Sequence, residues 1–329
     1  MAKTNTGRFF EDYRIGQTIE HAVPRTVSGG ERALYHALYP ARHALYSSDA
    51  FAQGCGLPAS PLDDLAAFHV IFGKTVPDVS LNAVANLGYA EGRWHLPVYA
   101  GDTLRSVSEV IGLKQNSNGK TGVVYVRTRG LNQRDETVMD YVRWVMVRKR
   151  DADAPAPETR VPELSKTIAA SDLVIPKGLT FADYNFTLAG EPHRLSDYAV
   201  GEQIDHVDGV TIEEAEHMIA TRLWQNTAKV HFDATFRPDG QRLIYGGHVI
   251  SMARALSFNG LANAQMIVGL NAGAHANPCF AGDTVKAWSE VLDVAETSAP
   301  GVGAIRLRLV ATKGGAPFVL RGEDGKYDP

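Results

Sequence analysis

Cysteine is nearly absent: 329 residues contain two, Cys55 and Cys279, far apart and without metal-ligand spacing. A disulfide and a pair of free thiols both stay open, and free thiols fit a reducing, cytoplasmic location. No apolar run approaches the roughly 20 residues that span a bilayer. The amino terminus, MAKTNTGRFFEDYR, lacks the apolar core of a secretory leader. There is no basic block, and the net charge is −4, so neither nucleic acid nor a membrane surface is expected as a partner. Phosphate-binding loop, dinucleotide fingerprint and zinc spacing are all missing, which leaves no cofactor to expect. Hydrophobic and charged contents of 44% and 21% are those of an ordinary globular chain.

The chain does contain an internal duplication. FEDYRIGQTIEH at 10–21 returns as LSDYAVGEQIDH at 195–206, an offset of 185. PVYAGDTLRSVSEV at 97–110 returns as PCFAGDTVKAWSEV at 278–291, an offset of 181. The length suits two cores of about 150 residues each. A segment rich in Pro, Ala and acidic residues, DADAPAPETRVPE at 151–163, opposes helix and reads as a linker. The expected division is 1–165, an amino-terminal copy with the linker, and 166–329, the carboxy-terminal copy.

Both copies share one order of elements. An opening strand (Gln17–Val23; Gln203–Val207) precedes a helix (Gly30–Leu38; Ile212–Gln225), the second helix with a capping-box spacing at Thr211 and Glu214. A more apolar helix follows (Leu62–Phe72; His248–Leu256). β-Branched, alternating runs then predict strands at Thr103–Ile111, Gly122–Gly130 and Val138–Arg148, matched by Thr284–Leu292, Gly303–Ala311 and Pro317–Arg321. One apolar helix with several antiparallel strands predicts an α+β layering in which a sheet curls around a helix. Gly-Asp-Thr at 101–103 and 282–284 predicts the turn feeding a strand.

With these segments the chain resembles a double hot-dog protein of the MaoC-like, R-specific enoyl-CoA hydratase group. The resemblance implies two antiparallel sheets, each wrapped around a central helix, as a pseudo-dimer in one chain. Gln225-Asn226-Thr227-Ala228-Lys229-Val230-His231-Phe232-Asp233 is similar in spacing to the group's Gly-Asp-x-Asn-Pro-x-His-x-Asp. His231 and Asp233 fall on its histidine and second aspartate. Asn226 stands where the group carries its catalytic aspartate, and Ala228-Lys229 replace Asn-Pro. TRLWQNTAKVHFDATF and YGGHVISMARALSFNGLANA imply, by the same resemblance, a hydro-lyase that reversibly hydrates a branched unsaturated dicarboxylic acyl-CoA, CoA being part of the substrate.

At the 185 offset, Asn226 faces Ala41, His231 faces Tyr46, Asp233 faces Ser48, and Gly246-Gly247 face Pro61-Leu62. The carboxy-terminal copy is therefore the expected catalytic one and the amino-terminal copy its degenerate partner, unless a small gap brings His43 into play. Hydration of an enoyl thioester needs a base for water, a proton for the α-carbon and stabilisation of the thioester oxygen. His231 is the expected base or relay. Asn226 cannot take a proton and would orient water. Asp233 is a secondary candidate, with a capping role equally open. Gly246, Gly247 and His248, at the start of a helix, are the expected oxyanion hole. Arg222, Arg242 and Arg254 are read as surface or ion-pair residues, and Trp224, Phe232 and Phe236 as core. An acyl-CoA thioesterase and a non-catalytic acyl-CoA binding module are the alternatives. A homo-oligomer is compatible with the sequence.

Overall fold

The computed structural model describes residues 3–314. The predicted strand Pro317–Arg321 lies outside the described residues. Nine strands are present among them: β1 (Thr18–Thr26), β2 (Ala83–Trp94), β3 (Thr103–Gln115), β4 (Thr121–Leu131), β5 (Thr137–Arg148), β6 (Gln203–Thr211), β7 (Gly269–Gly273), β8 (Thr284–Glu296) and β9 (Gly303–Lys313). The α-helices are α1 (Gly29–Leu38), α2 (Ala44–Ser47), α3 (Asp49–Gly54), α4 (Asp64–Thr75), α5 (Phe186–Ala189), α6 (Glu214–Leu223), α7 (Lys229–Phe232), α8 (Gly246–Leu256) and α9 (Phe258–Leu261). One sheet runs β1-β3-β4-β5-β2-β7 and the other β6-β8-β9, with every pairing antiparallel. The sheets do not divide cleanly between the copies. β7, from the second copy, pairs with β2 of the first, Ala90 opposite Ala272 and Gly92 opposite Leu270.

The repeated motifs turn out to be structural devices. Gly101 and Gly282 both have positive φ, 100° and 92°, a conformation glycine adopts at no steric cost. The following aspartates reach back across the turn: Asp102 accepts from Tyr99 N and Asp283 from Phe280 N, both at 2.8 Å. His21 and His206 each bond a serine of the neighbouring strand, Ser108 at 2.8 Å and Ser289 at 2.9 Å. These buried rings pin each opening strand to the strand after the Gly-Asp-Thr turn.

The capping box lies in the other copy. Ser28 accepts from Gly30 N, and Glu31 accepts from Ser28 N, so α1 carries it. Thr211 instead ends β6 and bonds Thr284 across the strands, while α6 begins after Glu213 without a side-chain cap. The linker is also not a loose tether: Arg160 and Leu113 exchange backbone hydrogen bonds of 2.8 Å, which lays it along β3. Both cysteines are free thiols.

The two long apolar helices, α4 and α8, share one core. Phe68, Ile71 and Phe72 of α4 cluster with Met252, Ala255 and Leu256 of α8 and with Trp224. Complete burial of each large side chain contributes about 1.5–3 kcal/mol. Residues 224 and 225, which follow α6, come close to α4 at Gly73, where an added Cβ would overlap the Trp224 carbonyl. The seat of residues 224–226 is therefore the back of α4. Gly73→Ala is expected to destabilise the fold by about 3 kcal/mol despite the better helix propensity of alanine. That corresponds to a fall of roughly 5 °C or more in thermal midpoint, measured by scanning calorimetry.

Candidate active site

Two contacts with Leu243 place the ring of His231. Residues 229–232 form one turn of helix, α7, and Leu243 N donates to Val230 O at 3.0 Å, bringing the chain that precedes α8 alongside. His231 Nδ1 lies 2.7 Å from Leu243 O. A carbonyl only accepts, so Nδ1 carries the proton and Nε2 presents its lone pair. The ring is half-buried and sits 5.9 Å from the Tyr245 ring and 6.2 Å from that of His217, centroid to centroid. Burial lowers its pKa to about 4, with the Leu243 bond opposing and His275 assisting.

At the start of α8 the backbone donors divide into two groups. Ile244 N donates to Cys279 O, Tyr245 N to His217 Nε2 at 2.9 Å, and His248 N to Tyr245 O. Gly246 and Gly247 are left with no backbone acceptor among the described residues, as the first turn of a helix requires. The missing side chains leave space that neighbours fill. A Cβ on Gly246 would overlap the His275 ring, and one on Gly247 the phenol of Tyr245. The glycine pair thus serves close packing and leaves two amides unspent.

Asn226 is buried, its Oδ1 accepting from Ala228 N at 3.3 Å. Its place follows from Gln225, at φ 55°, and from the Asn226 N bond to Thr221 O. His248 Nδ1 pairs with Tyr39 OH at 2.8 Å, and its Nε2 is buried without a partner. Asp233 is exposed and caps the next turn, accepting from Thr235 N and Thr235 Oγ1. Ser48 does the same for Phe51 N in the first copy, which accounts for the residue at this position by local geometry. The structure therefore brings His231, His248 and the glycine pair around Tyr245 and turns Asp233 outward.

Other expectations divide. Arg242 pairs with Glu214 and Arg254 donates to Ala264 O and Ser257 Oγ, while Arg222 is exposed. Trp224 is core, but Phe232 and Phe236, each ending a single short helical turn, are 42% and 43% exposed. His43 packs its ring edge on Phe258 at 5.3 Å, with Nε2 unpartnered; its neighbours are Phe258 and Arg254, not the His231 ring.

Three histidines at the site were not singled out by motif. His217, on α6, lies between the rings of His231 and His248. Burial, with His248 next, lowers its pKa to about 3, so it is a neutral acceptor for Tyr245 N. His275 is exposed, faces Gly246 and pairs with Tyr89 OH at 3.3 Å. His69 comes from α4 of the first copy and touches Tyr245, Ser251 and Trp224. A histidine inside the apolar run LAAFHVIF was the one available signal for it. Among the described residues no three His, Cys, Asp or Glu groups converge as metal ligands, and no helix is long and apolar enough to cross a membrane.

Comparison with known proteins adds an independent line. The family model described as mesaconyl-CoA hydratase matches residues 1–323. A mesaconyl-CoA hydratase of Cereibacter sphaeroides is 79% identical over 328 residues, 99% of this chain and 96% of that one. A β-methylmalyl-CoA dehydratase of Chloroflexus aurantiacus is 58% identical over 336 residues, covering 100% and 95%. Among solved structures, a MaoC domain protein dehydratase from Chloroflexus aurantiacus superposes with a TM-score of 0.96 at 58% identity, covering 100% of this chain and 95% of that one. A Mycobacterium tuberculosis protein described as a double hotdog fold gives 0.78 at 24% identity, covering 95% of each chain, a likeness of fold alone. The α+β double hot-dog architecture implied by the resemblance is thus the observed one, and the chain belongs to the mesaconyl-CoA hydratase family.

Proposed function

We propose that the chain is a hydro-lyase that reversibly hydrates mesaconyl-CoA to β-methylmalyl-CoA, working in its carboxy-terminal copy. The observation that carries the mechanism is the tautomer of His231: Nδ1 is committed to Leu243 O, leaving Nε2 as a base beside two unspent glycine amides. Full-length identity of 79% to a protein named for this substrate supports the choice of acyl group.

Water held by the Asn226 amide gives a proton to His231 Nε2 as its oxygen bonds to the β-carbon. The electron pair of the double bond moves toward the thioester, whose oxygen receives hydrogen bonds from Gly246 and Gly247 N–H. Each such donor is worth about 3–4 kcal/mol where charge develops out of water. The imidazolium then returns its proton to the α-carbon, and the histidine ends neutral. One base thus serves both steps, which is how Asn226 can stand in the usual aspartate position. No group beyond the chain and its substrate enters these steps, CoA being carried by the substrate.

His231→Ala is expected to lower hydration at least 100-fold, on the order of 3 kcal/mol, with circular dichroism and thermal midpoint unchanged; near-normal turnover would remove the ring from the mechanism. The active form is the neutral ring, so kcat/KM holds level above about pH 5. It falls as pH drops through about 4, whereas an ordinary histidine would give the limb near 6.5. A pH–rate profile taken by brief dilution from neutral buffer separates the two. A thiol-trapping dye should register no free CoA while the enone absorbance disappears; thiol release in step with turnover would favour the thioesterase alternative.

A further inference from the structure

The hydrogen bonds joining α4 to α8 form a chain whose direction can be deduced. Tyr35 OH donates to Ser251 Oγ at 3.2 Å, and Ser251 Oγ lies 2.7 Å from His69 Nε2. His69 Nδ1 lies 3.2 Å from Tyr245 OH. Ser251 is fully buried, and its hydroxyl has one acceptor among the described residues, His69 Nε2. The ring is then protonated at Nδ1 and donates to the Tyr245 oxygen. The Tyr245 hydroxyl proton is consequently not spent on His69 and is free for another acceptor.

That hydroxyl lies at the start of α8. A Cβ placed on Gly247 would be 2.5 Å from the Tyr245 oxygen, so the phenol is folded back over the amide of its own helix start. The same ring flanks His231 at 5.9 Å and packs on Phe72 at 5.6 Å. The seat is apolar and Tyr245 is 3% exposed, conditions under which a single donor counts for more than in water. Burial keeps the phenol protonated and the His69 ring neutral, its pKa lowered to about 3.

We propose that Tyr245 is a catalytic residue, a third hydrogen-bond donor to the thioester oxygen beside Gly246 and Gly247, and that His69 of the amino-terminal copy is the positioning residue that aims it. The inference rests on the hydratase reading above. It makes the degenerate copy part of the site and not only a wall.

Wild-type turnover of mesaconyl-CoA is measured first. An inactive wild type sinks the hydratase reading and this inference with it. Given an active wild type, Tyr245→Phe is expected to lower kcat about 100-fold while KM changes less than about threefold. His69→Leu should fall in parallel, and His69→Gln, whose amide can still donate to the phenol oxygen, should keep at least about a third of kcat. The double variant combining His69→Leu with Tyr245→Phe should be no slower than Tyr245→Phe alone, since both remove one interaction. A Tyr245→Phe enzyme within about threefold of wild type in kcat overturns the proposal while leaving the hydratase reading intact. Additive losses in the double variant, or equal losses for His69→Leu and His69→Gln, overturn the role given to His69. Thermal midpoints accompany each variant, and if His69→Leu does not fold, Tyr245→Phe and His69→Gln decide.

Discussion

The first turn of α8 spends its backbone donors unevenly, and the geometry of the site follows from that division. Ile244 N goes to Cys279 O, Tyr245 N to His217, and His248 N to the Tyr245 carbonyl. Among the described residues, the Gly246 and Gly247 amides have no backbone acceptor. An unmade hydrogen bond at a buried amide costs about 1–3 kcal/mol, which the thioester oxygen of the proposed reaction would offset. His275 and the Tyr245 phenol occupy the volume that Cβ atoms would take. Close packing and an anion-ready helix start are therefore the same requirement at these two positions.

Around that turn the protein gathers five of its eleven histidines: His69, His217, His231, His248 and His275. Four of them, His69, His217, His231 and His248, pack against one another or against the Tyr245 ring, where burial disfavours the charged form. Burial lowers His69 and His217 to about 3 and His231 and His248 to about 4. Neutral rings have one donor and one acceptor each, so each becomes a directional device. His217 accepts, His69 lies between Ser251 and Tyr245, and His231, the half-buried one among those four, keeps the Nε2 lone pair that the proposed mechanism uses.

What was legible in the sequence was what local chemistry and the repeat could encode. The Gly-Asp-Thr turns, the paired His21 and His206, and the long β-branched strands β3, β4, β5, β8 and β9 follow from residue type and period. The His231 loop and the Gly246-Gly247 helix start came through the motif. β2 and β7 escaped because ANLGYAEGRW and GLNAG are rich in glycine, alanine and asparagine, residues of low strand propensity; β2 is held between β5 and β7, and β7 at the sheet edge by β2. The cap at Thr211 failed for a similar reason: its hydroxyl is worth more across the strands, to Thr284, than at a helix that starts two residues later. His69 was out of reach because its partners, Tyr245 and Ser251, lie 176 and 182 residues away.

The duplication explains why such a long-range pair exists. At the 185 offset His69 on α4 corresponds to Arg254 on α8, and the two side chains have opposite effects. Arg254 donates to the carbonyls of Ala264 and Gln265 and lies near Asp63 and Asp64 of the first copy. Nearby, Tyr46, at the position of His231, donates to the Asp64 carboxyl, whose pKa burial and Asp63 raise to about 7. Leu62 stands where Gly247 opens the second copy's helix. Side chains thereby fill the corresponding region of the first copy, Tyr46 and Asp64 paired and His43 Nε2 without a partner among the described residues. The equivalent helix position in that copy carries a ring, His69, that reaches across to Tyr245 and Ser251 of the second copy. A symmetric pair of sites could not spare this position, because each helix would need the same residue to face two pockets at once. Divergence between the copies thus leaves an asymmetric hydrogen-bond chain that joins α4 to α8 through His69, Ser251 and Tyr245.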